Sequence, residues 1–279
     1  MTENTPASLS TVAVLGGGVM GGAIAAAVRA GGWAAEAVTV ADRNTETLAD
    51  LAAAHGLLTT TDLGEAAQGA DIIVFAVKPQ DAAAALAQFT DKVKPGAMLL
   101  TVAAGLPASF YEARLPAGTA VVRAMPNTPS LVGFGATGIA PGASATAEHL
   151  ALASRVLSAT GLVVTVEEDQ INAVGTVSGS GPAYFYAFVE AMIEAGITQG
   201  LDRDVATALA TQTLIGAGRL LESSGATPAE LRARVSSKGG TTLAALAAMS
   251  DAGLQTVVAV GLSAAERRSK EMAEELSGR

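Results

Sequence analysis

The chain has 279 residues, a formal net charge of −9 and no cysteine. This length allows one large or two medium domains, each with a buried core. The acidic balance argues against a nucleic-acid or anionic-membrane partner, because both need a basic surface. Without cysteine there is no disulfide, thiol nucleophile or cysteine metal site, and the composition is compatible with a reducing cytoplasm, where we expect the protein.

The uncharged N-terminal stretch resembles a signal peptide or membrane anchor only superficially. Residues 4–28 carry no charge, but no basic residue precedes them. The glycines from Gly16 onward also weaken a spanning helix. We therefore expect no membrane segment here.

Short β-rich runs alternate with helical patterns through the first 165 residues. Helical segments such as 45–54 and 82–89 fill the gaps between runs at residues 12–15, 37–40, 72–77, 98–102 and 120–125. This alternation predicts a parallel sheet covered by helices on both faces, which is a doubly wound α/β domain.

A glycine-rich turn, Gly16-Gly17-Gly18-Val19-Met20-Gly21, separates the first strand from a helical segment at 23–29. In this order, glycines permit a tight turn and let a pyrophosphate approach the helix N-terminus. We interpret residues 1–166 as a Rossmann-type dinucleotide-binding domain. The predicted cofactor contacts in this turn are Gly16, Gly18, Val19, Met20 and Gly21.

The second predicted strand ends at Asp42-Arg43-Asn44, about 20 residues after the glycine turn, where the adenosine ribose is expected. Asp42 as acceptor for a 2′-hydroxyl favours NAD, whereas Arg43 and Asn44 as partners of a 2′-phosphate favour NADP. A solvated strand end is the alternative, and the sequence leaves the choice of cofactor open.

A further cofactor segment, Ala76-Val77-Lys78-Pro79, follows a strand at the carboxyl end of the sheet. Ligands bind at that end in open α/β folds, so we predict cofactor contacts at these four residues. A plain surface lysine is the alternative for Lys78. His55 and His149 lack a partner pattern for metal or nucleophile chemistry, and we expect no metal site.

From Asp169 onward the pattern is helical, and we place a second, all-α domain at residues 167–279. Gly200 followed by Asp202 predicts the end of one helix and the start of the next. Thr227-Pro228-Ala229-Glu230 predicts a capping box. Pro182 lies in the first turn of a long helix, whose N-terminal segment 175–181 we expect to leave backbone donors free.

The segment from Val235 to Thr242 brings hydroxyls and paired glycines into this helical half. Gly239 and Gly240 interrupt a helix and expose successive backbone N–H groups, while the flanking Ser and Thr side chains add donors. Such a loop suits a small carboxylate. A plain helix-to-helix turn is the alternative.

Three long motifs extend these observations: VRAMPNTP at 122–129, SGSGPAY at 178–184 and the loop at 237–242. With the glycine turn, they make nearly the whole chain resemble the pyrroline-5-carboxylate reductase family. The resemblance implies reduction of 1-pyrroline-5-carboxylate to L-proline, the last step of proline synthesis, usually with NADPH, although NADH stays open. It also implies a homodimer with interlocking helical halves, often assembled into larger rings such as a decamer.

The resemblance further implies a role for individual residues. Its cofactor contacts are Gly18, Val19, Met20, Arg43, Ala76, Lys78 and Ala104. Its substrate contacts are Ser237, Gly239, Gly240, Thr241, Thr242 and Glu168, although an acidic triplet such as Glu167-Glu168-Asp169 is also typical of a helix N-terminus. Departures from the family pattern at Lys238, Ala233, Arg234 and Leu63 leave affinity and cofactor preference open.

Reduction of a cyclic imine needs a hydride donor and positive character on the ring nitrogen, but no nucleophile or metal. If the substrate binds as the iminium, catalysis rests largely on proximity and orientation. We predict that Ser237 and the Gly239-Gly240 backbone bind the carboxylate and that Thr242, the predicted catalytic residue, contacts the ring nitrogen, in an active site formed between the two halves. The alternatives are another two-domain dehydrogenase, of the 3-hydroxyacid or prephenate type, which normally uses Lys or His for proton transfer, and a non-catalytic dinucleotide-sensing paralogue.

Overall fold

The computed structural model describes residues 10–277, which contain an eight-stranded sheet. The strands are β1 Val12–Leu15, β2 Val38–Ala41, β3 Leu58–Thr60, β4 Ile72–Phe75, β5 Met98–Thr101, β6 Ala120–Met125, β7 Gly135–Pro141 and β8 Gly161–Thr165. Their order is β3-β2-β1-β4-β5-β6-β7-β8. This order confirms the predicted doubly wound α/β fold, with its strand-order reversal between β1 and β4.

The predicted parallel sheet is confirmed except at one pairing, where β7 runs antiparallel to β6. The β-rich runs of the sequence do not predict three further strands, β3, β7 and β8. The sequence of β7 begins Gly-Ala-Thr-Gly and lacks the β-branched run that marked the others, while the three residues of β3 are largely exposed. Neither strand therefore shows the apolar pattern that predicts a buried strand.

Six helices accompany this sheet: α1 Val19–Ala30, α2 Thr45–His55, α3 Leu63–Ala67, α4 Ala82–Leu86, α5 Ala108–Glu112 and α6 Ala147–Leu157. Alternate residues of β1 enter two different clusters, with Val12 and Val14 in one and Ala13 and Leu15 in the other. Both faces of the sheet are therefore buried, as expected for a central parallel strand. The predicted helix at 82–89 is shorter than expected, since α4 ends at Leu86.

The chain divides into two compact units, one comprising the residues up to Ser180 together with those from Ala265, the other Gly181–Ala264. The later helices are α7 Ile171–Val174, α8 Gly181–Thr198, α9 Arg203–Ser224, α10 Pro228–Arg234, α11 Thr241–Asp251 and α12 Leu254–Ser277. The predicted helical C-terminal part is thus confirmed. The domain boundary between residues 166 and 167 stays a prediction.

The helix boundaries of the second unit follow the predicted signals. Gly200 has a φ of +99° between α8 and α9, and Asp202 is the N-cap residue of α9. Thr227 and Glu230 form the capping box at the start of α10. Thr227 therefore caps α10 through its side chain, whereas Asp202 occupies the N-cap position of α9 without a side-chain capping hydrogen bond.

None of the described helices, taken singly, is long and apolar enough to span a bilayer; α11 and α12 satisfy the length and composition criteria only as a pair, with a bend of 51° between them. The expectation that no signal peptide is present depends on Met1-Thr2-Glu3, and these three residues lie outside the described part of the chain.

Candidate functional site

The turn after β1 takes a form that only glycine allows at two positions. Gly16 has a φ of +101°, and a Cβ built on it would lie 2.7 Å from the carbonyl oxygen of Ala76. A Cβ on Gly21 would lie 1.8 Å from the carbonyl oxygen of Gly16. The turn therefore folds tightly against the end of β4 and against the first turn of α1.

The same turn is open at Gly18, the N-cap residue of α1. A Cβ on Gly18 would meet nothing within 4 Å, and a glycine offers no side chain to cover the N–H groups of the first helical turn. Val19, the next residue, is 66% exposed. The arrangement fits a pyrophosphate, because the donors and the positive end of the helix dipole lie beside open space.

The segment after β2 is organised by its own hydrogen bonds. Asp42 accepts from the backbone N–H of Gly17 at 2.7 Å and from that of Asn44 at 2.8 Å, so each of its carboxylate oxygens has a backbone partner. The side-chain oxygen of Asn44 caps α2. Arg43, between them, is exposed. The cofactor contacts of all three residues stay predictions. Of the three, Arg43 carries the positive charge, and its side chain is exposed.

The segment Ala76-Val77-Lys78-Pro79 lies beside the glycine turn. The backbone N–H of Ala76 donates to the carbonyl of Leu15 at 2.8 Å, which continues the pairing of β4 with β1. Lys78 is exposed and precedes a short 3₁₀ turn, Pro79–Asp81. The structure thus brings this segment, the glycine turn and Asp42 together at the carboxyl end of the sheet.

Ala104 lies in the loop of residues 102–107, which joins β5 to α5. The Thr101 hydroxyl donates to the Tyr111 hydroxyl at 2.9 Å, and both residues are buried. Burial raises the pKa of Tyr111 to about 12, because the charged phenolate is disfavoured in an apolar core. This buried polar pair fixes the start of the loop against α5.

Glu168 accepts from the backbone N–H of Ala108 at 2.7 Å and pairs with Arg123 at 3.0 Å. It begins the 3₁₀ turn Glu168–Gln170, which agrees with the alternative of an acidic helix start. The same region contains a cleft of about 230 Å³ lined by Gly105, Pro107, Arg123, Asn172, Ala273 and Glu274. Sequence reasoning missed Arg123 as a partner of Glu168, since the two are 45 residues apart.

The loop between α10 and α11 interrupts the helical unit as predicted. Gly239 has a φ of +74°, and the N–H of Gly240 donates to the carbonyl of Ser237 at 2.9 Å. Gly240 is the N-cap residue of α11, and Thr241 and Thr242 form its first turn. Ser237, Gly239 and Thr241 are exposed, whereas Thr242 is half-buried. The N-terminus of α11 and the hydroxyl-bearing residues Ser237, Thr241 and Thr242 therefore lie in one short segment, and their contact with a substrate carboxylate stays a prediction.

The expectation of free backbone donors at 175–181 is wrong. Residues Gly175–Gly179 form a π-helical turn, and the N–H of Ser180 donates to the carbonyl of Gly175 at 2.9 Å. A Cβ on Gly175 would lie 2.9 Å from the Met125 side chain. The glycines here allow close packing against β6 rather than anion binding.

Among the described residues, no group of three or more His, Cys, Asp or Glu side chains is placed to hold a metal ion. His149 accepts from the backbone N–H of Thr146 at 3.0 Å in the capping box of α6.

Comparison with known proteins gives two family matches. Residues 168–272 match the model described as pyrroline-5-carboxylate reductase dimerisation, and residues 11–105 match NADP oxidoreductase coenzyme F420-dependent. A relative named pyrroline-5-carboxylate reductase, from Pseudomonas aeruginosa, is 38% identical over 96% of this chain and 99% of its own length. The chain belongs to the pyrroline-5-carboxylate reductase family.

Solved structures of the reductase family agree. The enzyme from Coxiella burnetii superposes with a TM-score of 0.91 at 33% identity, covering 95% of this chain and 98% of that one. The Plasmodium falciparum enzyme, described with NADP bound, has a TM-score of 0.81 at 26% identity, covering 95% and 98%. The dimerisation match supports homo-oligomerisation through the helical part of the chain.

Proposed function

We propose that this chain reduces 1-pyrroline-5-carboxylate to L-proline with NADPH as hydride donor, as the last step of proline synthesis. The observation that carries the proposal is the full-length match to relatives named for this reaction. The open helix N-terminus at Gly18 supplies the matching geometry for a dinucleotide.

The sheet unit binds the dinucleotide. The backbone N–H groups of Val19 and Met20 bind the pyrophosphate, and the close approach at Gly16 keeps the turn in place. Arg43 pairs with the 2′-phosphate, which favours NADPH over NADH. When bound, the nicotinamide supplies the hydride.

The loop at 237–242 binds the substrate. The Ser237 hydroxyl and the backbone around Gly239 and Gly240, at the N-terminus of α11, bind the carboxylate, and the half-buried hydroxyl of Thr242 contacts the ring nitrogen. The substrate enters as the iminium, so hydride addition at the C=N carbon neutralises the ring nitrogen, which keeps its proton. A strong side-chain acid is therefore unnecessary, and positioning supplies most of the rate enhancement.

The helical part forms the homodimer, and we infer assembly of dimers into a larger ring such as a decamer, a size that sedimentation measures. The contact of Glu168 with substrate and the location in the cytoplasm stay predictions.

The purified protein is mixed with NADPH and 1-pyrroline-5-carboxylate, and nicotinamide absorbance and L-proline formation are followed. We expect equimolar NADPH loss and proline gain, and no reduction of NADP when prephenate or a 3-hydroxyacid is supplied with NADP instead. Turnover of only those substrates would identify another dehydrogenase, and NADPH binding without turnover would identify a sensing paralogue.

Thr242→Ala tests the residue assigned to the ring nitrogen. We expect kcat/KM to fall about 10- to 100-fold, which corresponds to the loss of a hydrogen bond to a charged group. Thr242→Ser should retain most activity. Thr198→Ala is the matched control, because its hydroxyl bonds only to the carbonyl of Glu194 within α8. An unchanged kcat/KM in Thr242→Ala would remove this residue from the mechanism.

A further inference from the structure

The loop of residues 102–107 is tied to the sheet at its first residues. The N–H of Val102 donates to the carbonyl of Phe75 at 3.0 Å, which joins the loop to the end of β4. The N–H of Ala103 donates to the Thr101 hydroxyl at 3.3 Å, and that hydroxyl in turn donates to Tyr111. Ala104, the predicted cofactor contact, directly follows these two fixed residues.

The far end of the loop is held by one carboxylate oxygen. Oε1 of Glu168 accepts from the N–H of Ala108, the first residue of α5, and from the Arg123 guanidinium. Arg123 lies opposite Thr101 in the register of β5 and β6. The first residues of the loop are therefore tied to β4 and β5, and its far end is tied through Glu168 to Arg123 on β6.

Burial makes the Arg123–Glu168 pair different from the other ion pairs. The Arg123 and Glu168 side chains are 10% and 35% exposed, whereas the Arg203 and Arg219 side chains are 64% and 59% exposed in their pairs. Removing one partner of a buried pair leaves an uncompensated charge, while exposed pairs contribute little. A change at Glu168 should therefore leave the largely buried Arg123 guanidinium without its partner and release the loop.

We propose that Arg123 and Glu168 are positioning residues for hydride transfer: they hold the loop of residues 102–107 so that the backbone at Ala104 faces the nicotinamide end of the dinucleotide. This inference rests on the proposed function. It assigns Glu168 a role through the loop and not through substrate contact. The loop lies at the carboxyl end of β5, next to β4 and its cofactor segment, where such a contact is possible.

The test uses Glu168→Ala and the isosteric Glu168→Gln, with Arg123→Lys as the conservative variant. Glu112→Gln is the matched control on the same helix, since Glu112 is half-buried and its Oε1 accepts the N–H of Ala143 at 2.6 Å, a bond that involves neither Arg123 nor Glu168. Steady-state kinetics, calorimetric binding of NADPH and hydrogen exchange of residues 102–108 are measured on the assembled protein.

We expect Glu168→Ala to lower kcat about 10- to 100-fold, in line with the cost of a misplacement near 1 Å. NADPH binding should weaken severalfold, amide exchange at 102–108 should accelerate, and KM for 1-pyrroline-5-carboxylate should change less than about twofold. Glu168→Gln and Arg123→Lys should show the same changes to a smaller extent, and Glu112→Gln none.

Three results would overturn the proposal. A rise in the 1-pyrroline-5-carboxylate KM alone would identify Glu168 as a substrate contact. Faster exchange with unchanged kcat and NADPH affinity would show a purely structural role, and wild-type values in Glu168→Ala would show none. If the wild-type protein binds NADPH but does not reduce 1-pyrroline-5-carboxylate, the proposed function fails on its own. The NADPH affinity and the amide exchange of the variants then still decide the role of the Arg123–Glu168 pair. A wild-type protein that binds no NADPH overturns both the proposed function and this inference.

Discussion

Gly18→Ala should weaken dinucleotide binding while leaving the sheet unit folded. Gly18 has φ −62° and ψ −168°, which alanine adopts without strain, and its Cβ would meet no atom within 4 Å. Alanine is a slightly weaker N-cap than glycine but reduces the entropy of the unfolded chain, so the two effects nearly offset, to within about 0.5 kcal/mol. The free energy of unfolding should therefore hardly change.

The added methyl group instead occupies the space through which a pyrophosphate reaches the N–H groups of α1. Displacing the phosphate weakens hydrogen bonds to a charged group, each contributing about 1.5–3 kcal/mol. The Kd for NADPH should rise about 10- to 150-fold for the loss of one such bond. Isothermal titration calorimetry measures the affinity, and urea denaturation measures stability.

Two further glycines make the comparison decisive. Gly96→Ala, at the amino end of β5, forces alanine to a φ of +80° without a steric clash and should cost about 1–2 kcal/mol of stability with normal NADPH binding. Gly16→Ala combines a φ of +101° with the close carbonyl of Ala76 and should impair both stability and NADPH binding. NADPH affinity within twofold of wild type in Gly18→Ala would refute the assignment of the phosphate site. Weakened binding in Gly96→Ala would mean that affinity merely follows stability.

Two other predictions concern Tyr111 and Arg43. The folded-state pKa of Tyr111 is raised from 10.0 to about 12, so its stabilising effect is complete below the unfolded pKa and is lost as pH rises toward the folded one, at up to about 1.4 kcal/mol per pH unit. Urea denaturation of wild type and Tyr111→Phe from about pH 9 to 12 should show the stability gap narrowing, and a constant gap would contradict this. Arg43→Ala should raise the Kd for NADPH about 10-fold or more and that for NADH less than twofold, and calorimetry showing equal effects on both would exclude Arg43 as the 2′-phosphate partner.

Features set by short-range chemistry could be predicted from the sequence. The glycine turn was recognisable because strand, turn and helix follow one another directly, and its glycines meet the close approaches that the pattern implies. The helix starts at Asp202 and Thr227 can be predicted equally well, because each depends only on residues within one helical turn. The loop at Ser237–Thr242 was visible because paired glycines interrupt an otherwise helical pattern.

Features that depend on distant residues could not be predicted in this way. The place of Asp42 after a strand predicts a ribose partner, but it does not reveal that the carboxylate also accepts the N–H of Gly17, 25 residues earlier. The pairing of Arg123 with Glu168 spans 45 residues and involves a strand interior and a helix start. The antiparallel placement of β7 likewise follows from its neighbours in the sheet and not from its own composition.

Hydrophobic periodicity alone gives an incomplete description of the helices in the second unit. Within Gly181–Ala264, Ala206 and Ala210 are the buried apolar side chains among the residues described, whereas Phe185, Val257 and Val260 are 60%, 66% and 64% exposed. Large apolar side chains left in water forgo about 1.5–3 kcal/mol each, and helices apolar on several faces are normally buried ones. The dimerisation match spans this whole unit and supports homo-oligomerisation through these helices, so we expect their stability to depend on protein concentration.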